Sequence, residues 1–280
     1  MIEKAGLKGP IFSRAIVYLF LCVGSAVMIV PFLWMALTAF KTYQETLAIP
    51  IKWFPSRLYW GNFSEVLARL NFGRYYLNTV FVAAMITFFQ ALFCSMAGYG
   101  FGRLNFPGRN VLFFVLLSVL MIPSQMTLIP SFALLSWLGW IDTYKALIIP
   151  NLFSAYGTFF LRQFYKSLPA ELEEAAIIDG CNRFGVWWRI LMPLCGTAIA
   201  AFSVFTILWA WNDLMWPLIM TSRDAVRVLS VGIASLFGQH GSRYNLIMAA
   251  SMLAITPMIG VFIILQKQFI SGIAVTGLKA

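Results

Sequence analysis

The chain has 280 residues, of which 61 % are hydrophobic and 11 % charged, and this composition excludes one or two ordinary water-soluble domains. The net charge of +10 comes from basic residues scattered between apolar runs, so it does not form the dense patch that nucleic-acid binding requires. The four cysteines have no CxxC spacing and are expected to be small buried side chains. Composition therefore predicts an all-α, polytopic integral membrane protein.

Six uncharged apolar runs give the predicted spans, because a helix of about 20 apolar residues crosses a bilayer core. They form a single transmembrane domain, 1–280, with spans at roughly 15–40, 75–100, 110–130, 144–165, 193–213 and 244–267. The uncharged part of the fourth span, 146–161, is short, but Lys145 and Arg162 flank it and can reach either interface. An even number of spans puts both termini on the same side as a polar segment at 167–192. Eleven basic residues on that side against nine on the other favour the cytoplasm.

Small residues are concentrated at the end of the second predicted span. Gly98 and Gly102 have the GxxxG spacing that lets membrane helices approach closely. Glycines clustered before Pro107 can also simply loosen the end of a helix. The sequence leaves both interpretations open.

Two prolines predict a break in the third apolar run. Pro123 and Pro130 argue against one straight helix, so we predict a span that ends near 123–130 and a shorter amphipathic piece at 131–140. Gln125 lies at membrane depth, where a polar side chain either lines a pathway or satisfies backbone groups freed by a proline. In the fourth run, Pro150 and Gly157 are the expected weak points.

The polar segment Leu168–Pro193 predicts a helix, a glycine turn and a second, aromatic helix. Three glutamates lie near the first N-terminus, where the helix dipole favours carboxylates, at 171, 173 and 174. Gly180 follows at the position of a left-handed C-cap. One helix face is nearly bare of bulk and consists of Leu172, Ala175, Ala176 and Asp179. Such a segment is suited to docking another protein.

Polar residues follow the fifth predicted span. Asn212 and Asp213 stand among tryptophans that are typical of a membrane interface, and Asp213 either caps the next helix or faces a pathway. The one histidine, His240, has no acidic or cysteine cluster near it, so we interpret it as a loop residue rather than a metal ligand.

The polar segment Leu168–Pro193 resembles the EAA loop of the membrane subunits of ABC importers. The matching residues are Glu174-Ala175-Ala176, Asp179-Gly180, Ile190 and Pro193, with the family's interval between glycine and proline. A W-N-D…W-P-L string from Trp211 and a C-terminal TGLK from Thr276 resemble the carbohydrate branch, in particular the smaller permease of the maltose-transporter type. Thr197 replaces a second proline common in the family, and Ala280 replaces its final glycine.

The resemblance implies a cytoplasmic coupling loop, 167–192, whose first helix enters a cleft of an ATPase subunit. The implied coupling residues are Leu172, Glu174, Ala175, Ala176, Asp179, Gly180, Ile190 and Pro193. The implied partners are a second and larger permease, two ATPase subunits, an extracytoplasmic solute-binding protein and the lipid bilayer, without nucleic acid. In one branch of the family the tail, here 268–280, reaches the ATPase dimer. The chain contains no GxxxxGK[ST], so we expect ATP and magnesium on the ATPase subunits and no cofactor, metal or catalytic residue on this chain.

The implied function is sugar import by alternating access across the cytoplasmic (inner) membrane, with both termini cytoplasmic and a di- or oligosaccharide as cargo. A glycerol phosphate or another polyol is the alternative within the branch. A stand-alone secondary transporter is the alternative in another class, against which charge-free spans argue. The expected pathway or substrate residues are Asn78, Gln90, Tyr99, Gln125, Trp209, Asn212 and Asp213. The expected contacts with the binding protein are Gln239, His240 and Tyr244.

Overall fold

The computed structural model describes residues 11–237 and 242–277, and within these ranges all regular structure is helical. Contacts divide these residues into two units. The first contains the described residues up to Leu70 and those within 235–255. The second contains 71–234 and the described residues from Thr256 onward. The all-α prediction is confirmed for the described part of the chain.

The first unit contains one long apolar helix, two short helices and part of another long helix. Its helices are α1 (Ile11–Ala39), α2 (Tyr43–Thr46), α3 (Gly61–Arg69) and the first part of α15 (Tyr244–Gly277). The Asn62 side chain is fully buried and donates to the carbonyls of Ala39 and Lys41, both at 2.7 Å. It also accepts a hydrogen bond from Asn245 at 2.7 Å. One amide therefore joins the end of α1 to α3 and to the start of α15.

The second unit contains the remaining helices and the candidate site. In chain order they are α4 (Phe72–Arg103), α5 (Arg109–Ser118), α6 (Ser124–Trp137), α7 (Tyr144–Ile148), α8 (Ala155–Ser167), α9 (Glu171–Ile178), α10 (Arg183–Val186), α11 (Met192–Leu194), α12 (Gly196–Asn212), α13 (Met215–Met220) and α14 (Leu229–Ala234). Short 3₁₀ turns follow α5 and α7, at Val119–Met121 and Ile149–Asn151, and a π-helical turn, Trp187–Leu191, follows α10.

Close packing of α4 against α8 depends on a glycine. A Cβ atom at Gly98 would lie 3.0 Å from the backbone nitrogen of Arg162 and 3.2 Å from the carbonyl carbon of Leu161. A Cβ at Gly102 would meet only ordinary contacts, at 3.5 Å or more. Of the two interpretations of the GxxxG spacing, the structure therefore supports close helix approach, and Gly98 is the residue that permits it.

The long apolar runs form both straight and broken helices. Among the residues that the structure describes, three helical stretches are long and apolar enough to cross a membrane, and two bent pairs bring the number to five if each pair counts as one span. The stretches are Ala15–Ala39, Phe72–Arg103 and Tyr244–Ile263, and the bent pairs are Arg109–Met121 with Ser124–Trp137 and Arg183–Leu194 with Gly196–Asn212. The predicted fourth span is divided among α7, a 3₁₀ turn and α8. A count of six spans therefore stays a prediction.

The breaks are partly where prolines predict them. The third run bends by 98° at Ile122–Pro123, because proline forces the residue before it into an extended conformation, here φ −89° and ψ 116°. Helix α6 then begins at Ser124, earlier than the predicted piece at 131–140, and contains Pro130. The fourth run breaks around Pro150, as predicted, whereas Gly157 lies inside α8 and does not interrupt it. Helix α15 continues to Gly277, beyond the predicted end of the sixth span at 267.

Candidate functional site

The polar segment after α8 folds as a helix, a glycine turn and a second helix. Gly180 has φ +84°, and its amide donates to the Ile177 carbonyl at 3.0 Å while Cys181 donates to the Ala176 carbonyl at 2.9 Å. These two bonds are the Schellman arrangement that closes a helix C-terminus. The Asn182 side chain then caps α10 by accepting from the Gly185 amide at 2.7 Å. The left-handed glycine was predicted from the sequence, but the cap at Asn182 was not.

A buried ion pair fixes α9 to the end of α4. Glu173 is 7 % exposed, and its Oε1 lies 2.5 Å from Nε of Arg103, the last residue of α4. Arg103 also donates to the carbonyls of Leu168 and Pro169, both at 2.9 Å. Arg183 approaches the other oxygen of Glu173 at 3.7 Å. The start of α9 is therefore held by a charge that belongs to a membrane helix.

The inner side of the segment belongs to the hydrophobic core of the second unit. Buried residues from the segment pack with residues of α4, α8 and α12, and those from the segment are Ala176, Val186, Trp187 and Leu191. The Trp187 indole donates to Ser95 Oγ at 3.1 Å, and Ser95 shares a hydrogen bond with the Tyr165 hydroxyl. The segment is thus an integral part of the helix packing.

The outer side of α9 and α10 is apolar and exposed. Leu172 is 38 % exposed and Ile178 is 85 % exposed, and further along Phe184 and Trp188 are 62 % and 48 % exposed. We call these four residues the exposed α9–α10 surface. Glu174, Ala175, Asp179 and Gly180 are also exposed.

The helix face that the sequence predicts to be small and outward is not exposed as a whole: Leu172, Ala175 and Asp179 are exposed, but Ala176 is buried. Ala176 is only 5 % exposed because it packs into the core of its own chain, on the same side of α9 as Glu173. Ile190 is partly buried against that core, while Pro193 is exposed. The expectation that Ala176 belongs to an outward face was wrong, and the surface available to a partner is bulkier than predicted. The inward side of α9 therefore carries both the Glu173 ion pair and the core contact of Ala176.

Two of the predicted pathway residues line one cavity. Gln90 of α4 and Trp209 of α12 contribute to a cavity of about 410 Å³, together with Asn151, Tyr156 and Thr206. Gln90 is 6 % exposed and donates to the Asn151 carbonyl at 2.7 Å. The sequence analysis did not identify Asn151, Tyr156 or Thr206. Asn151 could have been found from the sequence, because it is a polar residue within an apolar run and directly follows the helix-breaking Pro150.

Asn78 and Tyr99 do not line this cavity. The amide nitrogen of Asn78 donates to the carbonyls of Ala225 and Arg227, at 3.1 and 2.8 Å, and its oxygen accepts from the Tyr144 hydroxyl at 2.7 Å. Tyr99 is 4 % exposed and packs edge-on against Tyr165 in the core beneath α9. For both residues the structure indicates packing roles rather than the expected pathway role.

The other three candidates occupy different positions. Gln125 is exposed in the first turn of α6 and does not line the cavity. Asn212 donates to the Leu208 carbonyl at 2.8 Å, within its own helix. Asp213 accepts from the Trp216 amide at 3.4 Å, the geometry of a helix cap, and also lines a pocket of about 10 Å³ beside Trp209. The structure therefore favours the capping role of Asp213.

The expected contacts with a binding protein are only partly within the described residues. Gln239 and His240 lie outside the described residues. Tyr244 is the first residue of α15, is 46 % exposed and lines a cavity of about 220 Å³ in the first unit with Trp34 and Lys41.

Comparison with known proteins gives consistent matches along the chain. Residues 94–274 match the family described as binding-protein-dependent transport system inner membrane component. An arabinooligosaccharide transport system permease protein of Halalkalibacterium halodurans is 33 % identical over 256 residues, which is 90 % of this chain and 92 % of the relative. An sn-glycerol-3-phosphate transport system permease protein of Yersinia enterocolitica is 30 % identical and covers 82 % of this chain and 84 % of its own length.

A solved structure has the same fold. It is the crystal structure of a bacterial ABC transporter involved in the import of the acidic polysaccharide alginate, and the matching chain gives a TM-score of 0.81 at 19 % identity. The match covers 92 % of this chain and 96 % of the other.

Proposed function

The chain belongs to the family of binding-protein-dependent transport system inner membrane components, and from this we propose that it is the permease subunit of an ATP-driven importer. The cargo we propose is a sugar, most simply a di- or oligosaccharide, which crosses the cytoplasmic membrane by alternating access. The named relatives that transport arabinooligosaccharides and the structural relative that imports alginate support a carbohydrate cargo.

The observation that carries the proposal is the anchored segment around α9. Its inner side is fixed by the Glu173–Arg103 ion pair, while the exposed α9–α10 surface presents Leu172, Ile178 and aromatic residues outward. Exposed apolar patches of this kind mark protein interaction sites. Movement of a protein bound there would be transmitted to α4 through a buried charge rather than through a flexible loop.

We propose that the bound protein is an ATPase subunit. The sequence has no GxxxxGK[ST], so ATP and magnesium would be held by two ATPase subunits, and this chain would carry no cofactor. A second permease and an extracytoplasmic binding protein complete the proposed assembly. In this arrangement α9 and both chain termini face the cytoplasm.

Two alternatives make different predictions. A glycerol phosphate importer of the same architecture is supported by the relative that transports sn-glycerol 3-phosphate. It would differ only in the solutes that stimulate uptake. A stand-alone secondary transporter would take up its solute in response to membrane potential and would not co-purify with an ATPase subunit.

The coupling role is tested with charge reversal on α9. Glu174→Lys should abolish solute uptake into membrane vesicles, because a carboxylate that pairs within a protein interface is worth about 2–5 kcal/mol when removed. Glu171→Lys is the matched control, since Glu171 is also exposed in the first turn of α9 and an exposed charge contributes about 0–1 kcal/mol. Both variants should insert in the membrane at normal levels. Normal uptake by Glu174→Lys would contradict the coupling role.

The glycine turn gives an independent test. No atom lies within 4 Å of a Cβ built on Gly180, so a large side chain there would project outward into the space of a docked partner. Gly180→Trp should therefore abolish uptake, whereas Gly180→Ala should retain much of it. Both variants carry the backbone strain of a non-glycine residue at positive φ, about 1–2 kcal/mol, so the difference between them reports the docking clash. Equal uptake by the two variants would contradict docking at this turn.

A further inference from the structure

The cavity between α4, α8 and α12 has a position suited to contact with the cargo. Gln90 lies roughly 27 Å along α4 from Phe72 and about 20 Å from Arg103, at a rise of about 1.5 Å per residue. It is therefore near the middle of a helix long enough to cross a membrane. A polar side chain at this depth is costly against lipid and is usually directed towards a pathway or another protein.

The lining combines aromatic faces with hydrogen-bonding groups. Tyr156 and Trp209 are each about half exposed, at 48 % and 49 %, so their ring faces are accessible. Phe153 and Phe205 also line the cavity, at 45 % and 43 % exposure. Gln90 and Thr206 contribute an amide and a hydroxyl to the same cavity. Pockets that bind small molecules have this character, predominantly apolar and aromatic with a few orienting polar groups.

None of the described residues that line the cavity is charged. The adjoining small pocket is lined by the carboxylate of Asp213, and that pocket shares Trp209 and Asn151 with the cavity. An anionic solute would lose its hydration here without finding a cation, and Asp213 would repel it. A neutral sugar ring can stack its C–H faces on an aromatic ring and pair its hydroxyls with amides.

We infer that this cavity holds an uncharged carbohydrate during its passage, with a sugar ring against Trp209 or Tyr156 and its hydroxyls bonded to Gln90 and Thr206. The inference rests on the proposed function as an importer permease. It goes further by favouring an uncharged cargo over phosphorylated polyols and uronic-acid polymers. The half-exposed aromatic residues leave the cavity open on one side, where the companion permease would complete it.

The test uses the whole assembly of both permeases, both ATPase subunits and the binding protein in proteoliposomes. Maltotriose and arabinotriose are the neutral probes and glycerol 3-phosphate is the anionic probe, and import and ATP hydrolysis are measured on the same vesicles. The wild-type assembly should import a neutral probe and not the anionic one. Trp209→Ala and Gln90→Ala should each lower the amount of sugar imported per ATP by about tenfold, the effect of losing one well-placed contact.

Three further variants separate a cargo contact from a structural role. Trp209→Phe keeps a stacking face and should remain within about twofold of wild type. Trp137→Ala removes an 82 % exposed tryptophan of α6 that does not line the cavity, and should leave the amount of sugar imported per ATP unchanged. Where Trp209→Ala lowers the yield of assembled complex, Thr206→Val removes only a hydroxyl and should still lower import per ATP.

Two results would overturn the cavity assignment while leaving an ATP-driven importer intact. One is an amount of sugar imported per ATP that is as high as in the wild type for all three variants, Trp209→Ala, Gln90→Ala and Thr206→Val. The other is a wild-type assembly that imports glycerol 3-phosphate but neither neutral sugar. Failure of the wild-type assembly to import any probe in response to ATP would instead contradict the proposed function, and the cavity assignment with it.

Discussion

Arg103 and Glu173 are seventy residues apart in the sequence and form a buried ion pair at the base of α9. Their side chains are 12 % and 10 % exposed, so the Arg103 charge depends on Glu173 for compensation, while Glu173 also has Arg183 at 3.7 Å. The sequence analysis identified the neighbouring Glu174 and Gly180 through their spacing. It could not identify Glu173, because its role depends on a partner at the end of a different helix. At the residue scale, local geometry was predictable and long-range charge pairing was not.

The Glu173–Arg103 ion pair should stabilise the segment that contains α9. Glu173→Gln leaves the Arg103 charge buried without its counter-ion, which typically destabilises by about 3–5 kcal/mol. We expect hydrogen exchange of the amides in α9 to accelerate strongly, while exchange in α12 changes little. Glu171→Gln is the control, because Glu171 is exposed in the same turn. Unchanged exchange in α9 of the Glu173→Gln protein would show that the pair does not hold the segment.

A second carboxylate predicts a pH dependence in the first unit. Hydrogen bonds from Ser56, followed by those involving Thr42, lower the pKa of Glu45 to about 2 from its ordinary value of 4.5, although partial burial opposes this. Since the folded-state pKa is the lower one, the stabilisation is fully present above about pH 4.5 and is lost as pH falls towards 2. The difference in unfolding temperature between wild type and Glu45→Gln should thus be constant from pH 8 to 5 and shrink below 4.5. A difference that persisted undiminished at pH 3 would contradict this assignment.

Gly98 allows α4 and α8 to pack closely, and this can be tested by substitution. A methyl group at Gly98 would press on the backbone of α8, so Gly98→Ala should lower stability by about 1–3 kcal/mol, as overpacking usually does. Gly100→Ala is the matched control two residues away, because no atom lies within 4 Å of its Cβ position. It should be neutral or slightly stabilising, since alanine is the better helix former. Thermal unfolding in detergent measures both, and equal melting temperatures would contradict the close packing of α4 and α8.

The broken helices show what an apolar run can and cannot predict. Proline explains the bend at Pro123, because the restriction on the preceding residue is local. The prediction that a helix begins only at 131 was wrong, because Pro130 lies inside α6. A proline is tolerated within a membrane helix where neighbouring groups form hydrogen bonds with the backbone groups that it leaves free. Gly157 does not break α8, since the side chain of Phe202 and the sulfur of Cys94 occupy the space beside it. A glycine in a membrane helix can therefore mark close packing rather than a weak point.

For the molecule as a whole, composition and motif spacing were sufficient for the class and the family. The all-α membrane fold and the carbohydrate importer family were predicted and are confirmed. The cargo residues were less predictable. Gln90 and Trp209 were found among seven candidates, but only the fold shows that they share a cavity. Asn78 and Tyr99 have the same residue types and serve packing instead, because neighbours in space and not residue type decide the role of a polar group within a membrane.

ATP-driven sugar uptake by the reconstituted assembly tests most directly whether this chain is the permease subunit of an importer coupled to ATP through α9. The purified complex would be placed in proteoliposomes with MgATP inside, and with the binding protein and a radiolabelled neutral oligosaccharide outside. We predict uptake that requires internal ATP, is unaffected by collapsing the membrane potential, and is lost in Glu174→Lys but not in Glu171→Lys. Uptake that proceeds without ATP and follows the membrane potential, or that is equal in the two variants, would contradict the account.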